Sequence, residues 1–110
     1  MRLQVKGKNH EISDSIRIYA EEKLQKLSKQ LGDVVQVEIE LRVERNPSIR
    51  DCHVAEGTIF TKGHSLRARQ ATGDMRSSID GLTDKLLREV KAYREKRRRE
   101  PRRKAERNSG

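Results

Sequence analysis

A single cysteine, Cys52, occurs in the 110 residues. One thiol makes no internal disulfide, and small secreted domains commonly need several, so a reducing cytoplasm is the expected compartment. Tryptophan is absent, and the aromatics are Tyr19, Phe60 and Tyr93. With no strand-borne aromatic pair, stacking of bases on a sheet face is disfavoured. His10, His53 and His64 are scattered and have no second cysteine to join them, so no metal site is expected. Gly57, Gly63 and Gly73 are isolated, which removes a glycine-rich phosphate loop. No apolar run approaches the roughly 18 residues of a spanning helix, and MRLQVKGKN lacks a signal-peptide core. Carboxylates that share a helix, Asp74, Asp80 and Asp84, are better read as a cap and as partners of Arg76, Lys85 or Arg88 than as an acid–base pair. An enzyme, a cofactor, a small-molecule substrate and a membrane role are all unexpected.

What is abundant is charge. Only 32% of residues are hydrophobic while 39% are charged, and the net charge is +9. That allows one domain with a modest core under an ionic surface. From Arg94 to Arg107, nine Lys/Arg stand against three Glu, which leaves about +3 for residues 1–93. Such a balance favours phosphate-bearing partners through long-range attraction and counterion release.

Residues 2–6 place Leu3 and Val5 on one face of a short strand. After Gly7-Lys8-Asn9 turns the chain, Ser13 or Asp14 caps a helix with Ile12 as part of a hydrophobic staple. Ile16, Ala20, Leu24, Leu27 and Leu31 form its apolar face, and Gly32 ends it. Val34 to Glu44 is a strand in which Val35, Val37, Ile39, Leu41 and Val43 alternate with Gln36, Glu38, Glu40, Arg42 and Glu44. Its outer face is therefore largely acidic. A loop follows at 45–51 around Asn46-Pro47. His53 to Thr61 is a third strand whose apolar residues fall on both parities, so its buried face stays open. Lys62-Gly63-His64 turns into a fourth strand, with Leu66 and Ala68 opposite Arg67 and Arg69.

Thr72 or Asp74 then caps a long helix in which Met75, Ile79, Leu82, Leu86, Val90 and Tyr93 step by 4, 3, 4, 4 and 3 residues. Arg76, Lys85, Arg88, Lys91 and Arg94 lie on its flanks and back. The apolar stripe stops near Lys96 and Pro101 interrupts the pattern, so residues 97–110 are expected to be a disordered basic tail or linker after a domain at 1–96. The order β-α-β-β-β-α predicts an α+β fold, a four-stranded sheet with two helices packed on one face.

Any one exposed lysine or arginine is most often a solvating group with an i, i+4 partner. Collectively, both helices and the fourth strand carry excess positive charge while strand 34–44 turns Glu outward. Binding is expected through helix surfaces and ends, with contacts mostly to phosphate and ribose. Charge placement marks Lys23, Lys26, Lys29, Arg67, Arg69, Arg76, Lys85, Arg88, Lys91 and Arg94 as candidate RNA contacts.

Gly7-Lys8-Asn9 before a capped helix, Ile12-Ser13-Asp14-Ser15-Ile16-Arg17 and Lys23-Leu24-Gln25-Lys26-Leu27 resemble segments of one family. So does Asp74-Met75-Arg76-Ser77-Ser78-Ile79-Asp80, followed by Lys85-Leu86 and Arg88. The family is that of the ribosome hibernation-promoting factors, which includes ribosome-associated inhibitor A and was formerly labelled sigma-54 modulation protein. The resemblance spans residues 1–96 and implies a β-α-β-β-β-α fold similar to double-stranded-RNA-binding domains. It also implies a stress or stationary-phase factor seated on the small ribosomal subunit against 16S rRNA, over the mRNA path and the A and P tRNA sites, where it blocks translation. Carried over by position, Lys23, Lys26, Lys85, Arg88 and Lys91 are implied rRNA contacts. Arg76 stands where the family has an aromatic, Leu87 at a commonly polar position and Ala92 where a basic residue is common. Ribosome dimerisation is implied only for a chain that carries the family's C-terminal domain, which is not in this sequence. Two other readings remain: a general basic RNA binder with no fixed site, and a module that touches another protein.

Overall fold

The computed structural model describes residues 2–8, 11–29, 34–44 and 52–109, with side chains described up to Lys96 apart from Ser28, Val34 and Val35. The elements are β1 (Arg2–Gly7), α1 (Asp14–Ser28), β2 (Val34–Val43), β3 (His53–Thr61), β4 (His64–Thr72) and α2 (Met75–Ser109). The sheet order is β1-β2-β3-β4. β1 runs parallel to β2, with Val5 opposite Ile39, and α1 is the crossover between them. The β2–β3 and β3–β4 pairs are antiparallel. Gly63 closes the β3–β4 turn at φ 85°, a left-handed conformation that glycine adopts without a Cβ clash.

Both helices cover the same sheet face, as the apolar periods require. Ala20, Leu24 and Leu27 of α1 and Met75, Ile79, Leu82, Leu86 and Val90 of α2 are buried against Val5, Val37, Ile39, Leu41, Ala55 and Ile59. The helices run in the same direction. Ile12 and Ile16 line a cavity with Met75, and one turn further on Tyr19 meets Asp80. Fully burying each Leu, Ile or Val contributes about 1.5–3 kcal/mol, so this single layer is the main stabilising term.

The open question at β3 resolves in favour of its odd positions. Ala55, Gly57 and Ile59 face the helices, and a Cβ on Gly57 would lie 3.0 Å from both Ile39 Cδ1 and Leu86 Cδ1. Gly57 is the gap that lets α2 settle on the middle of the sheet. Val54, on the opposite parity beside Arg42 and Ala71, is also fully buried but lies outside the main core cluster.

Ser13 rather than Asp14 caps α1, its Oγ accepting from the Ile16 amide at 3.3 Å. At α2 the cap is Asp74, whose Oδ2 accepts from the Ser77 amide at 3.0 Å and from the Ser77 hydroxyl at 3.1 Å. These two donors hold the Asp74 carboxyl below the usual carboxylate range. Ser78 is buried and donates to the His53 carbonyl at 2.6 Å, tying α2 to the start of β3. Leu31, Gly32 and the loop at 45–51 lie outside the described residues.

The helical backbone of α2 continues past Lys96 to Ser109, through Pro101, where the sequence pattern led us to expect a disordered tail. Arg, Lys, Glu and Ala dominate that stretch, and all favour a helix intrinsically. Among the described residues, Val90 is the last fully buried side chain of the helix and Tyr93 the last half-buried one.

Candidate nucleic-acid interface

The candidate cations fall into three places rather than one. Arg67 and Arg69 project from β4 onto the open face of the sheet, away from both helices. The register sets them in rows with Glu56 and Thr58, Glu40 and Glu38. There Arg42 reaches Glu40, Glu44 and Glu56 at 3.5, 3.4 and 3.3 Å. Arg67 pairs with Glu56 at 3.5 Å and Arg69 with Glu44 at 3.4 Å. Burial disfavours the Arg42 charge, but the hydrogen bonds and charges of Glu56 and Glu44 outweigh it and keep the guanidinium firmly protonated. The acidic face expected from β2 is therefore a neutralised network.

On the outer surface of the helices the pattern differs. Lys26 of α1, Lys29 at its C-cap, and Lys85, Arg88, Lys91 and Arg94 of α2 are all exposed. Lys85 donates to the Arg69 carbonyl at 2.8 Å, which lays its stem along the outer edge of the sheet. Among the described residues, no hydrogen bond or ion pair engages the side chains of Lys26, Arg88 or Lys91. Cations without carboxylate partners are free to meet phosphate oxygens.

The third place is the seam between the two helices. Tyr19 of α1 donates its hydroxyl to Asp80 Oδ1 at 2.5 Å. Lys23 approaches the same oxygen at 3.4 Å and lies over the Tyr19 ring at 5.6 Å. The Arg76 guanidinium sits at the same ring, also 5.6 Å from its centroid. The hydrogen bond to Asp80 raises the pKa of both Tyr19 and Lys23. Asp80 was expected to pair with cations of its own helix; it turns instead to α1, because Tyr19 and Lys23 supply donors across the seam. The joining role of Tyr19 had only a faint sequence signal, its i, i+4 spacing to Lys23.

Among the described residues no group of three His, Cys, Asp or Glu side chains converges as a metal site. Nor, among those residues, is any helix long and apolar enough to cross a membrane.

A ribosome hibernation promotion factor of a Picosynechococcus species is 35% identical over 97 residues, 87% of this chain and 50% of its own length. The ribosome hibernation promoting factor of Escherichia coli is 31% identical over 96 residues, 87% of this chain and 96% of its own. The chain thus spans about half the length of some relatives and nearly all of others. Among solved structures, the N-terminal domain of Thermus thermophilus Protein Y superposes with a TM-score of 0.72 at 26% identity, covering 84% of this chain and 99% of that one. A ribosomal subunit interface protein from Coxiella burnetii superposes with a TM-score of 0.76 at 20% identity, over 86% and 98% of the two chains, and shows the shared fold. The family model described as Sigma 54 modulation protein / S30EA ribosomal protein matches residues 3–98. The chain belongs to that family.

Proposed function

We propose that the protein is a cytoplasmic ribosome-binding factor of the hibernation type, which docks its helical surface on 16S rRNA of the small subunit. Seated in the decoding channel, over the mRNA path and the A and P tRNA sites, it inhibits translation by occupancy under stress or in stationary phase. The observation that carries this reading is the contrast between the two faces. Lys26, Arg88 and Lys91 have no partner among the described residues, whereas Arg42, Arg67 and Arg69 are already bonded to carboxylates. A phosphate backbone gains more from the first set, since no ion pair must be broken. The names of the relatives supply the ribosome as the RNA-rich partner.

Lys23, Lys26, Lys29, Arg76, Lys85, Arg88, Lys91 and Arg94 are the contacts we assign to the helical surface. Arg67 and Arg69 lie on the other face and would reach a separate strand of RNA. We place the binding domain at residues 1–96 and treat 97–110 as a basic extension that adds affinity without a fixed site. The competing reading, a general RNA binder, is favoured by the nine Lys/Arg between Arg94 and Arg107.

Co-sedimentation with purified small subunits, with and without residues 97–110, separates the two. Saturable one-to-one binding that survives loss of the extension, and falls when mRNA and tRNA fill the channel, is expected. Weak, non-saturating binding that disappears with the extension would refute the decoding-channel reading.

A further inference from the structure

We infer that the α1–α2 seam is an anion site for a backbone phosphate of RNA, in which Asp80 occupies the phosphate position in the free protein. The inference rests on the RNA-binding reading above and deepens it. Three donors converge on one small region: the Tyr19 hydroxyl at 2.5 Å from Asp80 Oδ1, Lys23 Nζ at 3.4 Å, and the Arg76 guanidinium on the Tyr19 ring. A hydroxyl, an ammonium and a guanidinium fork are the donor set that holds a phosphodiester oxygen pair. The carboxylate satisfies the first two of them.

The seam is also accessible. The Lys23 and Asp80 side chains are 37% and 45% exposed, so the pair is solvent-screened and opens at little cost. The Tyr19 ring, half-buried against the core, keeps both cations at the surface when the carboxylate swings away. A carboxylate left in place would repel a phosphate lodged a few ångströms off. Asp80 is therefore an internal competitor: it lowers the affinity of the seam and admits only a phosphate geometry that replaces both of its bonds.

The sign of a double-mutant cycle decides the matter. Binding of a short double-stranded RNA is followed by fluorescence anisotropy over a series of salt concentrations, for wild type, Asp80→Asn, Lys23→Ala and the double variant. Asparagine still accepts from Tyr19, and thermal melts check that the fold is kept. Releasing Lys23 adds about one phosphate contact, so Asp80→Asn should tighten binding roughly five-fold at 0.15 M salt and steepen the salt slope by roughly 0.8. Asp84→Asn, which removes the same charge one turn along on the exposed back of α2, should change affinity by about two-fold or less. Lys23→Ala should cost more in the Asp80→Asn background than in the wild type. Additive effects, or a Lys23→Ala cost that shrinks when Asp80 is gone, would show that Asp80 merely positions Lys23 and would overturn the inference. If the coupling holds on the duplex while wild type shows no saturable binding to small subunits, the seam site stands and the ribosomal reading falls.

Discussion

Reversing two charges on α2, Lys85→Glu with Arg88→Glu, tests whether the helical surface is the contact surface. The cost to folding is small and can be worked from the structure. Lys85 loses one exposed hydrogen bond to the Arg69 carbonyl, worth about 0.5–1.5 kcal/mol. The two new carboxylates stand at i, i+4 from Asp84 and Glu89, which adds two like-charge repulsions at about 0.2–0.5 kcal/mol each. The total is roughly 1–2.5 kcal/mol, against about 5–15 kcal/mol for a domain of this size, so the variant stays folded.

The cost to binding is larger. One phosphate contact contributes a salt slope of about 0.8, which is roughly five-fold in affinity at 0.15 M. Neutralising two contacts therefore costs about 20-fold, and reversing them on the order of 10²-fold or more, with the salt slope falling by about 1.6. Co-sedimentation with small subunits across a salt series reads both quantities, and circular dichroism reads the fold. A variant that is folded, binds within about three-fold of wild type and keeps its salt slope would refute the assignment. So would binding that follows only the number of arginines beyond residue 96.

Two further perturbations address the fold beneath the surface. Gly57→Val places methyl groups where a Cβ already meets Ile39 and Leu86 at 3.0 Å and Leu82 at 3.3 Å, so overpacking should cost roughly 1–3 kcal/mol; an unchanged melting temperature would show that α2 does not bear on β3 there. Asp74 has a folded pKa held below its unfolded value, chiefly by the Ser77 amide, so its contribution is full above the unfolded value near pH 4 and is lost as pH falls through the folded pKa. Asp74→Asn should therefore flatten the acid limb of the stability–pH curve, and parallel limbs for the two proteins would contradict the cap geometry.

The legibility of the fold tracked how cleanly one face of each element is covered. β2 carries apolar residues on one parity only, because its other face is an open network of Glu38, Glu40, Arg42 and Glu44, and its orientation was readable at once. β3 was not readable, for two physical reasons. Its central inward position is Gly57, which leaves no hydrophobic mark where packing is tightest, and Val54 is fully buried on the outward parity. The exposed cations of α2 follow from its helical period alone. The seam does not: Tyr19 and Asp80 are 61 residues apart, and their contact depends on the parallel packing of two helices that no local spacing encodes. For the same reason helical spacing alone points Asp80 to partners on its own helix.

Orientation on a polyanion follows from pairing more than from the count of charges. A net charge of +9 attracts RNA from any direction, but beyond a Debye length of about 8 Å that attraction is screened and carries little orientation. At contact range the two faces diverge. On the sheet, Arg42 is bonded to three carboxylates, and a phosphate approaching it also meets Glu40, Glu44 and Glu56. On the helices, Lys26, Arg88 and Lys91 offer charge with no bond to break among the described residues. Arg67 and Arg69 lie between these limits: their exposed pairs are worth about 0–1 kcal/mol, little enough for a phosphate to displace. Under the proposed reading, a chain built this way would settle on RNA helices-first, with β4 left over to touch a second strand wherever the RNA wraps around its edge.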